Sequence, residues 1–286
     1  MQYIHGKQVS KQHTVYLAFR MTVLALGLAG LWSLTAAPSY AAYSDESMLL
    51  AKNYQHQTPK FDYLHLTREA NLNATTAQKT DYQVFREGVG AYFQESYTDA
   101  VNLFLPLAER GHSSSQFYVA LMYDQGHGVI QNQSIATQWY LKAAQQGHID
   151  AQYNLGIAYA SGQGVEQSIL QAIHWWQKAA SDGSVDAQYN LGMVYTTGKG
   201  IEADAKLAVK WWRKAAHNGD AAAQFNLGVV YVNGGKGVRS NVCEASRLWK
   251  LSAEQGFDRA VSALRILKSM DRYHASSCFN VTAKSE

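Results

Sequence analysis

Proline, cysteine and net charge are all scarce in this chain, and each shortage excludes something. Three prolines in 286 residues leave long helices permitted nearly everywhere. The only cysteines are Cys243 and Cys278. Neither sits in a C-x-x-C or near a base, so catalytic thiol chemistry is not expected. The formal charge of +3 is a property of the leader. Lys7, Lys11 and Arg20 are the only charged side chains in the first 41 residues, and the remainder carries 22 basic against 22 acidic residues. A neutral body lacks the electrostatic footprint of a nucleic-acid binder, so nucleic acid is excluded as a partner. Motifs of covalent or metal chemistry are missing too. There is no G-x-S-x-G, no Ser-x-x-Lys, no H-E-x-x-H and no close histidine pair with metal spacing. No catalytic residue, metal or cofactor is expected.

The first 41 residues read as a secretory signal. A basic region ends at Arg20, an uncharged apolar run covers Met21 to Ala37, and Ser39-Tyr40-Ala41 offers small residues at a cut after Ala41. The alternative is an uncleaved anchor, although the 17-residue run is at the lower edge of the roughly 17–25 residues a membrane-spanning helix needs. Cleavage would leave a periplasmic or secreted body without integral membrane contact. In such an oxidising compartment the two cysteines form one disulfide or stay as two thiols. Residues 42–80 are polar and aperiodic, a largely disordered linker with room for a short helix near Met48.

What the rest contains is repetition. Ala151-Gln152-Tyr153-Asn154-Leu155-Gly156 returns at 187–192 and, with Phe225, at 223–228; Ser115 to Ala120 is a degenerate copy in the same phase. Trp139-Tyr140, Trp175-Trp176, Trp211-Trp212 and Leu248-Trp249 mark the second half of each unit, and Gly111, Gly147, Gly183, Gly219 and Gly256 close the units. The period is 36, stretched to 37 in the last unit by Gly234-Gly235. Ala151, Leu155, Ala158 and Tyr159 form one apolar helical stripe, and Ala172, Trp176, Ala179 and Ala180 another. Gly162-Gln163-Gly164 breaks the chain between them. Gly156 lies inside the first helix, at a cost of about 1 kcal/mol relative to alanine, which close approach of a neighbouring helix would offset. Such a hairpin cannot bury its own apolar surface, so neighbours must stack.

The pattern A-Q-x-N-L-G-x-x-Y-x-x-G-x-G-V followed by A-x-x-W-W-x-K-A-A-x-x-G resembles the Sel1-like repeat, a relative of the tetratricopeptide repeat. The resemblance covers residues 115–256 and implies an all-α fold, a right-handed superhelical solenoid of helical hairpins. Residues 81–111 look like a tetratricopeptide-type starting hairpin, with Gly88, Ala91, Tyr92, Tyr97 and Ala100. Repeats then occupy about 112–147, 148–183, 184–219 and 220–256. A capping helix at 257–270, where Arg265 replaces the helix glycine, and a tail at 271–286 complete the chain.

By analogy with tetratricopeptide repeats, the concave face is expected at Phe117, Tyr153, Tyr189 and Phe225. It continues four residues later at Leu121, Ile157, Met193 and Val229, and seven later at Asp124, Ala160, Thr196 and Val232. Such a ladder suits a peptide or helix of another protein, and inter-repeat packing is the competing reading for its aromatics. The tryptophans are expected in the core, and His112 and His148 as solvated turn residues. The resemblance implies a non-catalytic scaffold binding a protein partner in the bacterial cell envelope. Alternatives are a cell-wall or β-lactam-binding protein with weak hydrolase activity, and a secreted factor directed at a host. Sel1-type proteins linked to β-lactam hydrolysis carry a cysteine pair in each repeat, which this chain lacks.

Overall fold

The computed structural model describes residues 79–271, Lys236 excepted. The leader, all of segment 42–80 but its last two residues, and segment 272–286 with Cys278 lie outside the described residues. Eleven helices follow one another: α1 Asp81–Phe93, α2 Tyr97–Glu109, α3 Ser113–Gln125, α4 Gln133–Gln145, α5 Ile149–Ser161, α6 Ile169–Ser181, α7 Val185–Thr197, α8 Ala205–His217, α9 Ala221–Asn233, α10 Val242–Glu254 and α11 Asp258–Asp271. The only β pairing among the described residues is an isolated bridge between Gly235 and Val238. No described helix is long and apolar enough to cross a membrane.

The regular spacing of these helices comes from their ends. Asn132, Ser168, Asp204 and Asn241 cap the second helices α4, α6, α8 and α10, each side chain accepting a backbone N–H from the first turn, whereas Ser96 before α2 makes no such bond. The first helices are capped by His112, His148, Ser184 and Asp220. At the far end, Gly164 has φ 71° and an added Cβ would fall on the backbone carbonyl of Gln133 in α4. That loop fits against the preceding hairpin only because the residue is glycine. Proline intrudes once, at Pro106 within α2.

The chain divides into two compact units at Gln167–Ser168. In the first, α1 packs on α2, α2 on α3, α3 on α4 and α4 on α5. In the second the same succession runs from α6 to α11. In three hairpins the core joins a ring to a bare backbone. Trp212 of α8 lies on Gly192 of α7, Trp249 of α10 on Gly228 of α9, and Phe104 of α2 on Gly88 of α1. Each indole also donates its Nε1–H to a carbonyl of the facing helix, Trp212 to Tyr189 at 3.2 Å and Trp249 to Phe225 at 3.0 Å. Burying about 200 Å² of indole at about 25 cal/mol per Å² is worth on the order of 5 kcal/mol. That outweighs the roughly 1 kcal/mol cost of glycine in a helix, which accounts for these glycines.

Successive hairpins are joined by a polar device. Gln116, Gln152, Gln188 and Gln224 are buried, and each Nε2 donates to a carbonyl near the end of the preceding helix: Ala108, Ala144, Ala180 and Ala216, at 3.0–3.3 Å. At three joints the carbonyl already accepts the N–H of the closing glycine, Gly111 to Ala108, Gly147 to Ala144 and Gly219 to Ala216, so the glutamine amide adds a second donor across the joint. Gln146, Asn218 and Gln255 then donate to the Oε1 of Gln116, Gln188 and Gln224. At the last joint Ala260, Ala263 and Leu267 of α11 are buried beside Phe225 and Trp249, while Arg265 is exposed.

Candidate binding surface

The ladder expected on the first helices divides by burial. In the first unit Phe117 and Leu121 are buried, 6% and 7% exposed. The Phe117 ring stacks on His148, with centroids 4.7 Å apart and planes at 15°. Asp124, Tyr153, Ile157 and Ala160 are half-buried, and burial pushes the Asp124 carboxyl above the usual carboxylate range. In the second unit Phe225 is 1% exposed and Val232 fully buried, Phe225 lying against Trp249 and Phe257. Tyr189, Met193, Thr196 and Val229 are half-buried. Phe117, Leu121, Phe225 and Val232 therefore take the packing role and offer no surface to a partner.

The half-buried set of the second unit is organised across two hairpins. Asn226 of α9 donates to the Tyr189 hydroxyl at 3.5 Å and to the Met193 sulfur at 3.6 Å, both on α7. Burial raises the Tyr189 phenol above its ordinary value, with the Asn226 contact opposing. The ring therefore stays neutral at any physiological pH and offers one apolar face and one hydroxyl. Thr196 returns its hydroxyl to the Gly192 carbonyl at 2.8 Å, so that donor is used within its own helix. These are the properties of a surface that holds apolar side chains and orients a few polar ones.

Two sequence expectations change. His112 and His148 are half-buried N-caps. Each Nδ1 faces a backbone N–H, of Ser115 at 3.2 Å and Ala151 at 3.3 Å. Capping needs the neutral ring, and desolvation lowers both imidazoles below their ordinary value. His127, in the G-x-G loop Gly126-His127-Gly128 that is the first copy of the loop seen at Gly162-Gln163-Gly164, stacks on Tyr97 at 4.1 Å, with its Nδ1 buried and unpaired among the described residues. The tryptophans follow expectation more closely. Trp175, Trp176, Trp211, Trp212 and Trp249 are buried and Trp139 half-buried. Lys142 and Lys178 lie 3.8 and 4.4 Å over Trp139 and Trp175. Cys243 is disulfide-bonded. The described residues hold no cluster of His, Cys, Asp and Glu able to bind a metal.

The Sel1 repeat model matches residues 113–148, 149–184, 185–220 and 221–257, just over half of the chain. The protein belongs to the Sel1 repeat family, whose fold is a solenoid of helical hairpins. The repeat is commonly a protein–protein interaction scaffold. Among solved structures, the chain is similar to a Sel1 repeat protein from Oxalobacter formigenes, with 33% identity and a TM-score of 0.60 over 66% of this chain and 55% of that one. It is also similar to c5321, a protective antigen of uropathogenic Escherichia coli with an SLR fold: 25% identity and a TM-score of 0.62 over 92% of this chain and 58% of that one. The chain thus spans somewhat over half the length of both. No curated protein matches it.

Proposed function

We propose that this protein is an exported, non-catalytic scaffold of the bacterial cell envelope, holding a protein partner on the exposed face of its first helices. The observation that carries the reading is the Tyr189, Met193 and Val229 group. Consecutive hairpins contribute to it, Asn226 fixes it, and the fold leaves it half-open. A partner helix or extended segment would cover these side chains; the first unit, taken by itself, offers the half-buried Tyr153 and Ile157. Export rests on the leader, with cleavage after Ala41 as its chemistry suggests.

A photo-crosslinking amino acid placed at Met193 or Val229 in living cells tests the binding face. A discrete adduct is expected from those positions and none from exposed Gln177 on α6. Equal adducts from all three, or none from any, would sink the reading. Fractionation with an intact mass tests export: the mature chain should begin at Ala42 in the periplasm or medium.

A further inference from the structure

The last repeat differs from its siblings in length and in charge, and both differences fall on one cleft. Its loop carries one extra residue between the two glycines, Gly234 and Gly237. In the preceding loop, Gly200 packs against Ile169, the first residue of α6. In the last loop, Gly237 instead meets the side chain of Lys206, and the Gly235–Val238 bridge holds the loop in a small arch. Beside this loop lies an open cleft of about 630 Å³, whose lining includes the apolar Val209, Tyr231 and Val238 and the cations Lys206, Arg213 and Arg239. This is within the usual range of roughly 300–1,000 Å³ for binding sites.

Among the described residues the cations of this cleft, Lys206, Arg213 and Arg239, are outside any ion pair, although the Arg213 charge bears on Glu244. The one carboxylate in the lining, Glu244, is taken by Arg247 through two bonds of 2.9 and 2.7 Å. Arg213 donates to the Tyr231 hydroxyl at 2.8 Å, which aims its guanidinium along the cleft wall. The repeat supplies its own comparison. In the hairpin before, the positions of Lys206, Arg213 and Arg239 are held by Leu170, Gln177 and Glu202. Gln177 makes the same bond to Tyr195 that Arg213 makes to Tyr231, so packing is met without the charge. At these three positions the charge is −1 in the preceding hairpin and +3 in this one, with Glu244 the one carboxylate beside them.

The geometry points to a binding site for a carboxylate-rich segment of a partner protein, with acidic side chains on the three cations and an apolar side chain on Val209, Tyr231 and Val238. The inference rests on reading the chain as a protein binder and adds a second site, of different chemistry from the Tyr189 face. A loose row of solvated lysines would need no apolar lining, no arch and no guanidinium held by a tyrosine.

The test uses the full chain and a short fluorescein-labelled peptide alternating glutamate and valine, read by fluorescence anisotropy. Saturable binding is expected, weakening as salt is raised because exposed charges are screened. The same peptide with glutamine for glutamate should bind at least about tenfold more weakly, since steering and register come from charge. Replacing the cations by the preceding hairpin's residues, Lys206→Leu, Arg213→Gln and Arg239→Glu together, should cost at least about tenfold in Kd by the same argument. If that variant melts early, Arg239→Glu alone, on the exposed loop, should still weaken binding measurably. Absence of saturable binding, equal affinity for the glutamine peptide, or full affinity in the variants would overturn the proposal. So would tighter binding of a single-stranded oligonucleotide. A Tyr189→Ala, Met193→Ala chain should bind the peptide normally, so failure here and failure of the scaffold reading are told apart.

Discussion

Alanine is the better helix former, yet Gly228→Ala in α9 should destabilise this protein. On propensity alone the change adds about 1 kcal/mol. In the fold the new Cβ would lie 2.7 Å from Trp249 Cδ1 and 3.0 Å from Cε2, closer than carbon atoms tolerate. Trp249 is fully buried and cannot retreat into solvent. Overpacking of this kind costs roughly 1–3 kcal/mol. Displacing the indole also breaks the Nε1–H bond to the Phe225 carbonyl, and an unpaired buried donor costs roughly 1–3 kcal/mol. The net expectation is a loss of about 1–5 kcal/mol, or several degrees in Tm for a chain of this size. Gly90→Ala in α1 is the internal control, because nothing lies within 4 Å of its Cβ position. That variant should be neutral or up to about 1 kcal/mol more stable. Urea melts followed by helical circular dichroism and by tryptophan fluorescence would read both. A Gly228→Ala midpoint at or above that of Gly90→Ala would refute the account of the helix glycines. A double variant with Trp249→Leu should show the two losses to be non-additive, since the smaller side chain relieves the clash.

Acidification should weaken the first unit through its histidine caps. The folded imidazoles of His112 and His148 sit below the ordinary 6.5, so the unfolded chain binds more protons. Their contribution is complete above that value and lost as pH falls through it towards the lowered folded values; His112→Asn with His148→Asn should flatten a melting profile between pH 7 and 5, about the window in which histidine titrates. Gln224→Leu should cost about 0.5–1.5 kcal/mol in a urea melt, the net worth of a bond lost across the joint, because the Ala216 carbonyl keeps the Gly219 N–H and the Gln255 amide keeps the Leu251 carbonyl. A Cys243–Cys278 bridge is proposed as the disulfide at Cys243. Non-reducing peptide mapping should find that pair, and reduction should lower stability by roughly 3–4 kcal/mol in the chain-entropy model. A mapped Cys278 thiol would count against it.

Much of the fold was legible because local signals agree with the period. Glycine breaks are written in each unit, and the Trp212–Gly192 contact is what the costly helix glycine implied. The aromatic ladder was harder, because its burial is decided by a residue of the next unit. Phe117 meets the imidazole of His148, and Phe225 meets the ring of Phe257. At the corresponding position after Tyr189 stands Asp220, whose charge bears on the phenol without covering it. The cationic cleft was visible as three differences from the preceding unit and one extra residue, yet only the fold brings Lys206 and Arg239 to one cleft. The caps at His112 and His148 could have been found by aligning them with Ser184 and Asp220, ordinary capping residues in the same phase.

The glutamine joints have a consequence for how such a chain can change length. Each joint is complete within two adjacent hairpins: an amide from one, a carbonyl from the other. Adding or deleting one whole unit therefore creates no unmatched surface, whereas a partial unit would leave that bond unmade. Loop residues lie outside the joint and can vary singly, as the extra residue of the last loop does. Growth is quantised in hairpins, and novelty is left to the loops.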